Sequence, residues 1–275
     1  MPELPEVETV ARGLRSLLIG RTIVDASVGW PRTIARPKAE EFAKGIVGRT
    51  VDAVGRRGKY VVIGLDRGYL LVHLKMSGQL QLVHAGEPKD KHVHLILDLD
   101  DRRQLRFRDV RKFGRVYLVG DPAEVTARLG PEPLADDFTL ADFRRLLTRR
   151  RGRLKPLLLN QHFLAGLGNI YADEALFVAH LHPLRKADSL TPQEQARLYS
   201  AIRTVLKGAV EGRGTTLTDG GYMDARGETG TYQERLAVYG QGGESCSRCQ
   251  SSIERIVISG RSAHFCPHCQ KRESA

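Results

Sequence analysis

Residues 60–76 read YVVIGLDRGYLLVHLKM. Two apolar, β-branched runs are parted by Asp66, Arg67 and Gly68, the pattern of a strand, a tight turn and a second strand. The same pattern returns in HVHLILDL at 92–99 and RVYLVG at 115–120, so the chain from about Thr22 to Val119 is expected to be a sheet-rich domain, a sandwich. AEEFAKGIVG at 39–48 interrupts it with helical spacing. Ahead of the strands, MPELPEVETV opens a segment whose apolar stripe, Val7, Val10, Leu14, Leu17 and Leu18, predicts an amphipathic helix closing at Gly20. Taken alone, Pro5 and the acids Glu3 and Glu6 read as ordinary helix-start residues. A second reading stays open: Pro2 is small enough to let Met1 be removed, which would leave a secondary amine beside two carboxylates.

Beyond Pro131 the period becomes helical, in TLADFRRLLTRR (139–150), KPLLLNQHFLAGLGNIYADEALF (155–177) and TPQEQARLYSAIRTVLKGAV (191–210), the last with a Thr191 cap and Pro192 at the first helical position. The Gly-, Thr- and Asp-rich stretch from Arg213 to Tyr232 reads as a long loop. The expected organisation is α+β and multidomain: a sandwich domain over 1–130, a helical domain over 131–238 and a cysteine module over 239–275.

Lys and Arg outnumber Asp and Glu by 43 to 32, for a net charge of +11. That balance points to a polyanionic partner, nucleic acid before an anionic membrane. No apolar run is long enough to span a bilayer and the N-terminus lacks a secretory pattern, so the chain is expected to be cytoplasmic. Basic residues interleave with aromatics in RRGKY (56–60) and QLRFRDVRKFGR (104–115), and cluster again in LTRRRGRLK (147–155), a composition suited to holding phosphates while wedging side chains between bases. For each run singly, a solvated strand face is the plainer explanation.

The four cysteines lie in CSRCQSSIERIVISGRSAHFCPHC, residues 246–269. Two C-x-x-C knuckles sixteen residues apart make Cys246, Cys249, Cys266 and Cys269 a metal set, with ERIVI and SAHFC as the strands of a hairpin. Four thiolates leave no open position for water, so the ion is structural; Zn2+ fits best, iron being the competitor. His264 and His268 are competing ligands, and Arg261 either grips a phosphate or is merely solvated.

In combination, PELPEVET (2–9), RRGKY, HLKMSG (73–78), RKFG (111–114), AGLGNIYADEALF (165–177), LAVYG (236–240) and the paired C-x-x-C resemble the bacterial formamidopyrimidine-DNA glycosylases over nearly the whole chain. The resemblance implies a β-sandwich flanked by helices, a helical domain with a helix-two-turn-helix motif and a zinc-finger β-hairpin. It implies excision of oxidised purines such as 8-oxoguanine and formamidopyrimidines from double-stranded DNA, followed by cutting of the abasic site; since one lesion needs one active site, a monomer is expected. Pro2 then becomes the nucleophile, Glu3 its acid/base and Glu6 a supporting carboxylate. Lys59, His73, Asn169 and Arg261 match positions that hold the flanking phosphates, with Lys59 counted in the catalytic set and Lys155 as a further contact near the lesion. Met76, Arg111 and Phe113 match the wedge that fills the gap left by an extruded nucleotide, and the 213–232 loop matches a lesion cap. The sequence departs from the family pattern at Val110 and Lys112, in a turn that usually reads D-P-R-R-F-G, at Asn160 where an acid is usual, and at Thr218, Asp219 and the GGY stretch of the loop. Two rival functions share many of these features: an endonuclease VIII-like glycosylase for oxidised pyrimidines, and a zinc-dependent DNA-binding protein without catalysis.

Overall fold

The structure, a computed structural model, describes residues 1–217, 222–225 and 227–272. Thr218, Asp219, Gly220 and Gly221, on which part of the loop comparison falls, lie outside the described residues. The chain divides into two compact units, Met1–Arg128 with Gly212–Gln233, and Leu129–Glu211 with Glu234–Ala275.

In the first unit, helix α1 (Leu4–Leu18) precedes strands β1 (Ile23–Val28) and β2 (Ile34–Arg36), helix α2 (Ala39–Ile46), and strands β3 (Val51–Arg57), β4 (Tyr60–Leu65), β5 (Tyr69–His73), β6 (Gly78–His84), β7 (Val93–Leu99), β8 (Arg103–Asp109) and β9 (Arg115–Val119), with a one-turn α3 (Ala123–Thr126). The strands form a five-stranded sheet, β2-β9-β5-β4-β3, and a four-stranded sheet, β1-β7-β8-β6. Both sheets and α1 share one core that includes Val10, Leu14, Val61, Val72, Leu97 and Phe107. The expected sandwich is therefore present, and the helical stripe of α1 faces inward, with Val7, Val10, Leu14 and Leu18 buried and Leu17 only half-buried. Each of those four side chains contributes roughly 1.5–3 kcal/mol by leaving water. The YLLVHLKM run is strand only as far as His73, and Lys75, Met76 and Ser77 turn away from it.

The sequence division places residues 213–232 with the helices; their contacts place Gly212–Gln233 in the first unit. The cause is local: Thr215 bonds α1, and Tyr222 and Ala225 enter the sandwich core.

The second unit holds helices α4 (Leu140–Leu147), α5 (Leu154–Leu159), α6 (Asn169–Val178) and α7 (Pro192–Glu211), then the hairpin β10 (Glu254–Ile258) and β11 (Arg261–Phe265). Thr191 and Glu194 close a capping box at the start of α7, as TPQE predicts. Between α5 and α6 the chain makes two turns: Asn160 Oδ1 accepts from the His162 N–H, and Gln161 bridges Leu159, Leu167 and Gly166, giving the helix-two-turn-helix. An acid at 160 would accept the same bond, so the amide preserves the turn. The cysteine module belongs to this unit, since Cys246, Cys266, Ile253 and Val238 pack on Phe177 of α6.

Candidate active site

In the first unit, the α1 start is built by its acids. Glu3 is the N-cap, and the Glu6 carboxylate accepts the Glu3 N–H at 2.7 Å through one oxygen and the Thr215 N–H at 2.8 Å through the other. Gly214 makes that approach possible: at φ +82° it carries a backbone that L side chains rarely adopt, and a Cβ there would meet Glu6 Oε1 at 2.8 Å. Pro2, Glu3 and Glu6 are all buried, whereas Met1 is exposed. A helix start burying two carboxylates and a proline gives up easy solvation of the acids, which an ordinary capping role does not require.

Helix α1 is tied to the turn that carries Lys59. Glu8 accepts from both Arg12 and Arg56, and Arg56 also donates to the Gly58 carbonyl at 2.9 Å. Burial pushes the Glu8 pKa up, but the two guanidiniums outweigh it and the net shift is downward. Gly58 and Lys59 form the two-residue turn between β3 and β4, where Arg57 faces Tyr60 across the ladder. Gly58 has φ +55° and Lys59 does not share it, the arrangement of a type II′ turn. Lys59 is 5% exposed.

Register then gathers the other expected residues of this unit. On β5, His73 pairs with Tyr60 on one side and Arg115 on the other. Its Nδ1 accepts the Lys75 N–H at 3.0 Å, which leaves Nε2–H as its free donor. Burial first, then Lys75 and Lys59, push its pKa down to about 3, so the imidazole is a neutral donor at physiological pH. Just beyond it, the turn carrying Met76 is stapled to the turn carrying Arg111 and Phe113. Ser77 Oγ donates to Asp109 Oδ1 at 2.5 Å and accepts the Arg111 N–H at 3.1 Å, while Asp109 Oδ2 accepts the Gly114 N–H at 2.6 Å. Phe107 lies beneath both turns; a Cβ on Gly78 or Gly114 would collide with its ring. Phe113 is 49% exposed, with the Arg111 guanidinium 5.1 Å from its ring centre. An exposed aromatic on a turn this firmly braced suits insertion into a stack.

In the second unit, Asn169 opens α6 and Arg261 follows the Ser259–Gly260 turn of the hairpin, both of whose residues have positive φ. Asn169 Nδ2 donates to Ser262 Oγ at 3.1 Å, linking the helix start to the hairpin. Arg261 is exposed. Lys155 is placed otherwise than expected. Its side chain is fully buried and its Nζ donates to Asp173 Oδ1 at 2.6 Å and to the Asn169 carbonyl at 2.9 Å. In this structure Lys155 therefore spends its charge on an internal ion pair, and a phosphate contact would require its ammonium to leave a buried carboxylate.

Asp173 and Ser262 were not singled out by sequence, and His264 was considered only as a competing metal ligand. Asp173 Oδ2 accepts the His264 N–H at 3.0 Å and faces His264 Nδ1 at 3.3 Å, so one carboxylate joins α5, α6 and β11. Its neighbour Glu174 accepts three backbone N–H groups, from Ala237, Val238 and Tyr239. The only sequence signal for this pair is two acids inside an otherwise apolar helix.

The four cysteine sulfurs lie within 4.8 Å of one another, with Cys249–Cys266 at 3.4 Å and Cys246–Cys269 at 3.9 Å. Tetrahedral Zn–S bonds of about 2.3 Å require sulfurs about 3.8 Å apart. Backbone N–H groups of Arg248 and Cys269 point at Cys246 and Cys266 sulfurs, as in a metal knuckle. The donor set fits one structural Zn2+. His264 is engaged by Asp173 and His268 is exposed, so neither competes.

Three family models match in chain order: the formamidopyrimidine-DNA glycosylase N-terminal domain over residues 1–116, the H2TH domain of the same enzymes over 129–219, and a zinc finger found in FPG and IleRS over 243–272. A formamidopyrimidine-DNA glycosylase of Herpetosiphon aurantiacus is 52% identical over 98% of this chain and all of its own, and that of Bacillus subtilis 43% identical over 99% and 100%. The chain belongs to the formamidopyrimidine-DNA glycosylase family. Among solved structures, a point mutant of the Lactococcus lactis family member in complex with Fapy-dG-containing DNA superposes with a TM-score of 0.92 at 37% identity, covering 98% of this chain and all of that one. The same L. lactis protein with abasic-site DNA gives 0.91, and with oxidised-pyrimidine DNA 0.90. The family assignment makes this chain a DNA glycosylase and removes the non-catalytic rival. No helix among the described residues is long and apolar enough to cross a membrane.

Proposed function

We propose that this chain is a bifunctional DNA glycosylase and abasic-site lyase acting on oxidised purines in double-stranded DNA, as a cytoplasmic monomer, with Pro2 as its nucleophile once Met1 is removed. The observation that carries the reading is the α1 start, where Pro2 and Glu3 are buried and Glu6 uses both oxygens to hold the backbone around them. The reaction needs the lesion outside the helix, because its C1′ is unreachable in a stacked duplex. Met76, Arg111 and Phe113 fill the gap, supported by their braced adjacent turns. The Pro2 nitrogen attacks C1′ while the C1′–N bond to the base breaks, the base leaving with that electron pair and a proton. Glu3 protonates the ring oxygen as the sugar opens, and the nitrogen lone pair forms the iminium. The iminium acidifies C2′; loss of that proton expels the 3′ phosphate, and a second elimination expels the 5′ phosphate.

Lys59, His73, Asn169 and Arg261 hold the flanking backbone. His73 does so as a neutral Nε2–H donor, so its contribution should not follow a titration near pH 6.5. The bound lesions of the L. lactis complexes include an oxidised pyrimidine, so a purine preference here is one of rate and not of exclusion.

Borohydride trapping on a duplex with one 8-oxoguanine opposite cytosine, then mass spectrometry of the N-terminal peptide, tests the mechanism. An adduct on Pro2 lacking Met1 is expected. Lesion cleavage without any trapped adduct, or a trapped lysine, would overturn the proline mechanism. An oxidised-pyrimidine duplex cleaved faster than the purine one would favour the endonuclease VIII-like specificity.

A further inference from the structure

The wedge turn from Val110 to Gly114 lacks the proline of the family pattern, so its shape has to come from contacts. Arg115 Nη1 donates to the carbonyls of Lys112, Phe113 and Gly114 at 3.3, 3.1 and 2.7 Å, and Asp109 grips the turn from inside. Lys112 sits at φ +57°, a left-handed conformation that costs a non-glycine residue roughly 1 kcal/mol or more. In that conformation its ammonium lies 4.3 Å from the Trp30 ring centre, well within cation–π range.

Trp30 is anchored to the same root as the turn. The Gly29 and Trp30 N–H groups donate to the His94 carbonyl at 2.9 and 3.4 Å, and the His94 ring nitrogen Nε2 lies 2.9 Å from the Asp109 carbonyl. His94 is 4% exposed. The chain Trp30–His94–Asp109 is thus fixed within the sandwich, and the Lys112 contact closes it into a ring around the turn. Arg111 and Phe113 project from the sides of the one residue whose unusual backbone that contact secures.

We propose that Lys112 and Trp30 form a clamp that sets the presentation of Arg111 and Phe113, and so governs discrimination of the base opposite the lesion. This rests on the reading that Arg111 and Phe113 enter the duplex. A turn free to relax would seat the pair in several poses, and specificity, being a difference between partners, would fall before activity on the preferred partner does. Lys112 is then a positioning residue that touches no DNA.

The test is the ratio of single-turnover excision rates for 8-oxoguanine opposite cytosine and opposite adenine. The variants are Lys112→Met, Trp30→Leu, their double, Lys112→Arg, and Arg111→Ala as control. Contacts of this kind are worth about 0.5–2 kcal/mol, a factor of roughly 2–30. Each single variant should lower the ratio by about three- to tenfold while excision opposite cytosine stays within about twofold. The double should lower it no further, and Lys112→Arg, whose guanidinium also stacks on indole, should keep it. Lys112 is exposed, so Lys112→Met should remain folded even if Trp30→Leu does not. An unchanged ratio in folded Lys112→Met, or additive losses in the double, would overturn the clamp. If Arg111→Ala also leaves the ratio unchanged, the wedge assignment fails, and the clamp with it. If Arg111→Ala collapses the ratio and Lys112→Met does not, only the clamp fails.

Discussion

Replacing Lys155 by methionine should destabilise the protein strongly while leaving its electrostatic contact with DNA intact. Lys155 and Asp173 both have side chains at 0% exposure, 2.6 Å apart. Methionine fills the stem volume but leaves the carboxylate buried with only the His264 groups as partners. Breaking one side of a buried pair typically costs about 3–5 kcal/mol, against a total stability of about 5–15 kcal/mol. At roughly 2–4 °C per kcal/mol, the melting temperature of the zinc-loaded full chain should fall by about 6–20 °C. A double variant, Lys155→Met with Asp173→Leu, removes both charges and should recover much of the loss. The DNA assay separates this account from a direct phosphate contact. Loss of a contact would leave stability nearly unchanged and reduce the slope of log affinity against log salt by about 1. The buried pair predicts the reverse: a large stability loss, and an unchanged slope for the folded fraction. A Lys155→Met protein within about 1 kcal/mol of wild type, with a shallower salt slope, would refute the internal role.

Glu6→Gln turns one acceptor of a doubly bonded carboxylate into a donor facing an N–H, so it should cost about 1–3 kcal/mol in urea unfolding and slow borohydride trapping at Pro2 more than it weakens duplex binding. Acid should destabilise the protein in a defined window. The pKa values of His73 and His182 are pushed down to about 3 and about 4, chiefly by burial, so the folded state refuses protons that the unfolded chain binds below about pH 6.5. Their stabilisation is complete above that pH and is lost as pH falls through it toward 3, at up to about 1.4 kcal/mol per pH unit for His73, and denaturation of His73→Gln at pH 7, 5 and 4 should show the slope reduced accordingly. Stripping the metal, or Cys266→Ala, should weaken duplex binding by about tenfold or more through loss of the hairpin that presents Arg261, as measured by fluorescence anisotropy, while near-UV signals of the sandwich persist.

Much of the architecture was legible in the chain because it rests on short-range patterns. YVVIGL and YLLVH had to be strands, since β-branched runs parted by Asp-Arg-Gly have few other uses, although the second run was read as continuing through Met76 and stops at His73. Two C-x-x-C knuckles had to converge, and Thr191 with Glu194 had to open a helix. What the sequence could not disclose were pairings across long separations. Asp173 meets His264 at a distance of 91 residues, and Glu6 meets Thr215 across 209. The second pairing draws the 212–233 segment into the sandwich unit, against the contiguous domain division that composition suggested.

Lys59 and Lys155 show why site assignment is harder than fold assignment. Both follow arginine-rich runs, and both match positions that the family resemblance marks for DNA. Lys59 lies on a two-residue turn beside His73, where its charge is felt by the imidazole. Lys155 lies on a helix one face of which meets α6, so its charge is claimed by Asp173. The residue type is the same, and the difference is made by the element underneath. Both lysines are buried, Lys59 at 5% exposure and Lys155 at 0%, but the one on the inward face of a short helix is held there by a carboxylate 18 residues away. The acid that decides the matter is itself invisible as a partner until α5 and α6 are packed. The basic runs therefore announce the polyanionic substrate, but the assignment of individual cations to phosphate or to carboxylate belongs to tertiary structure.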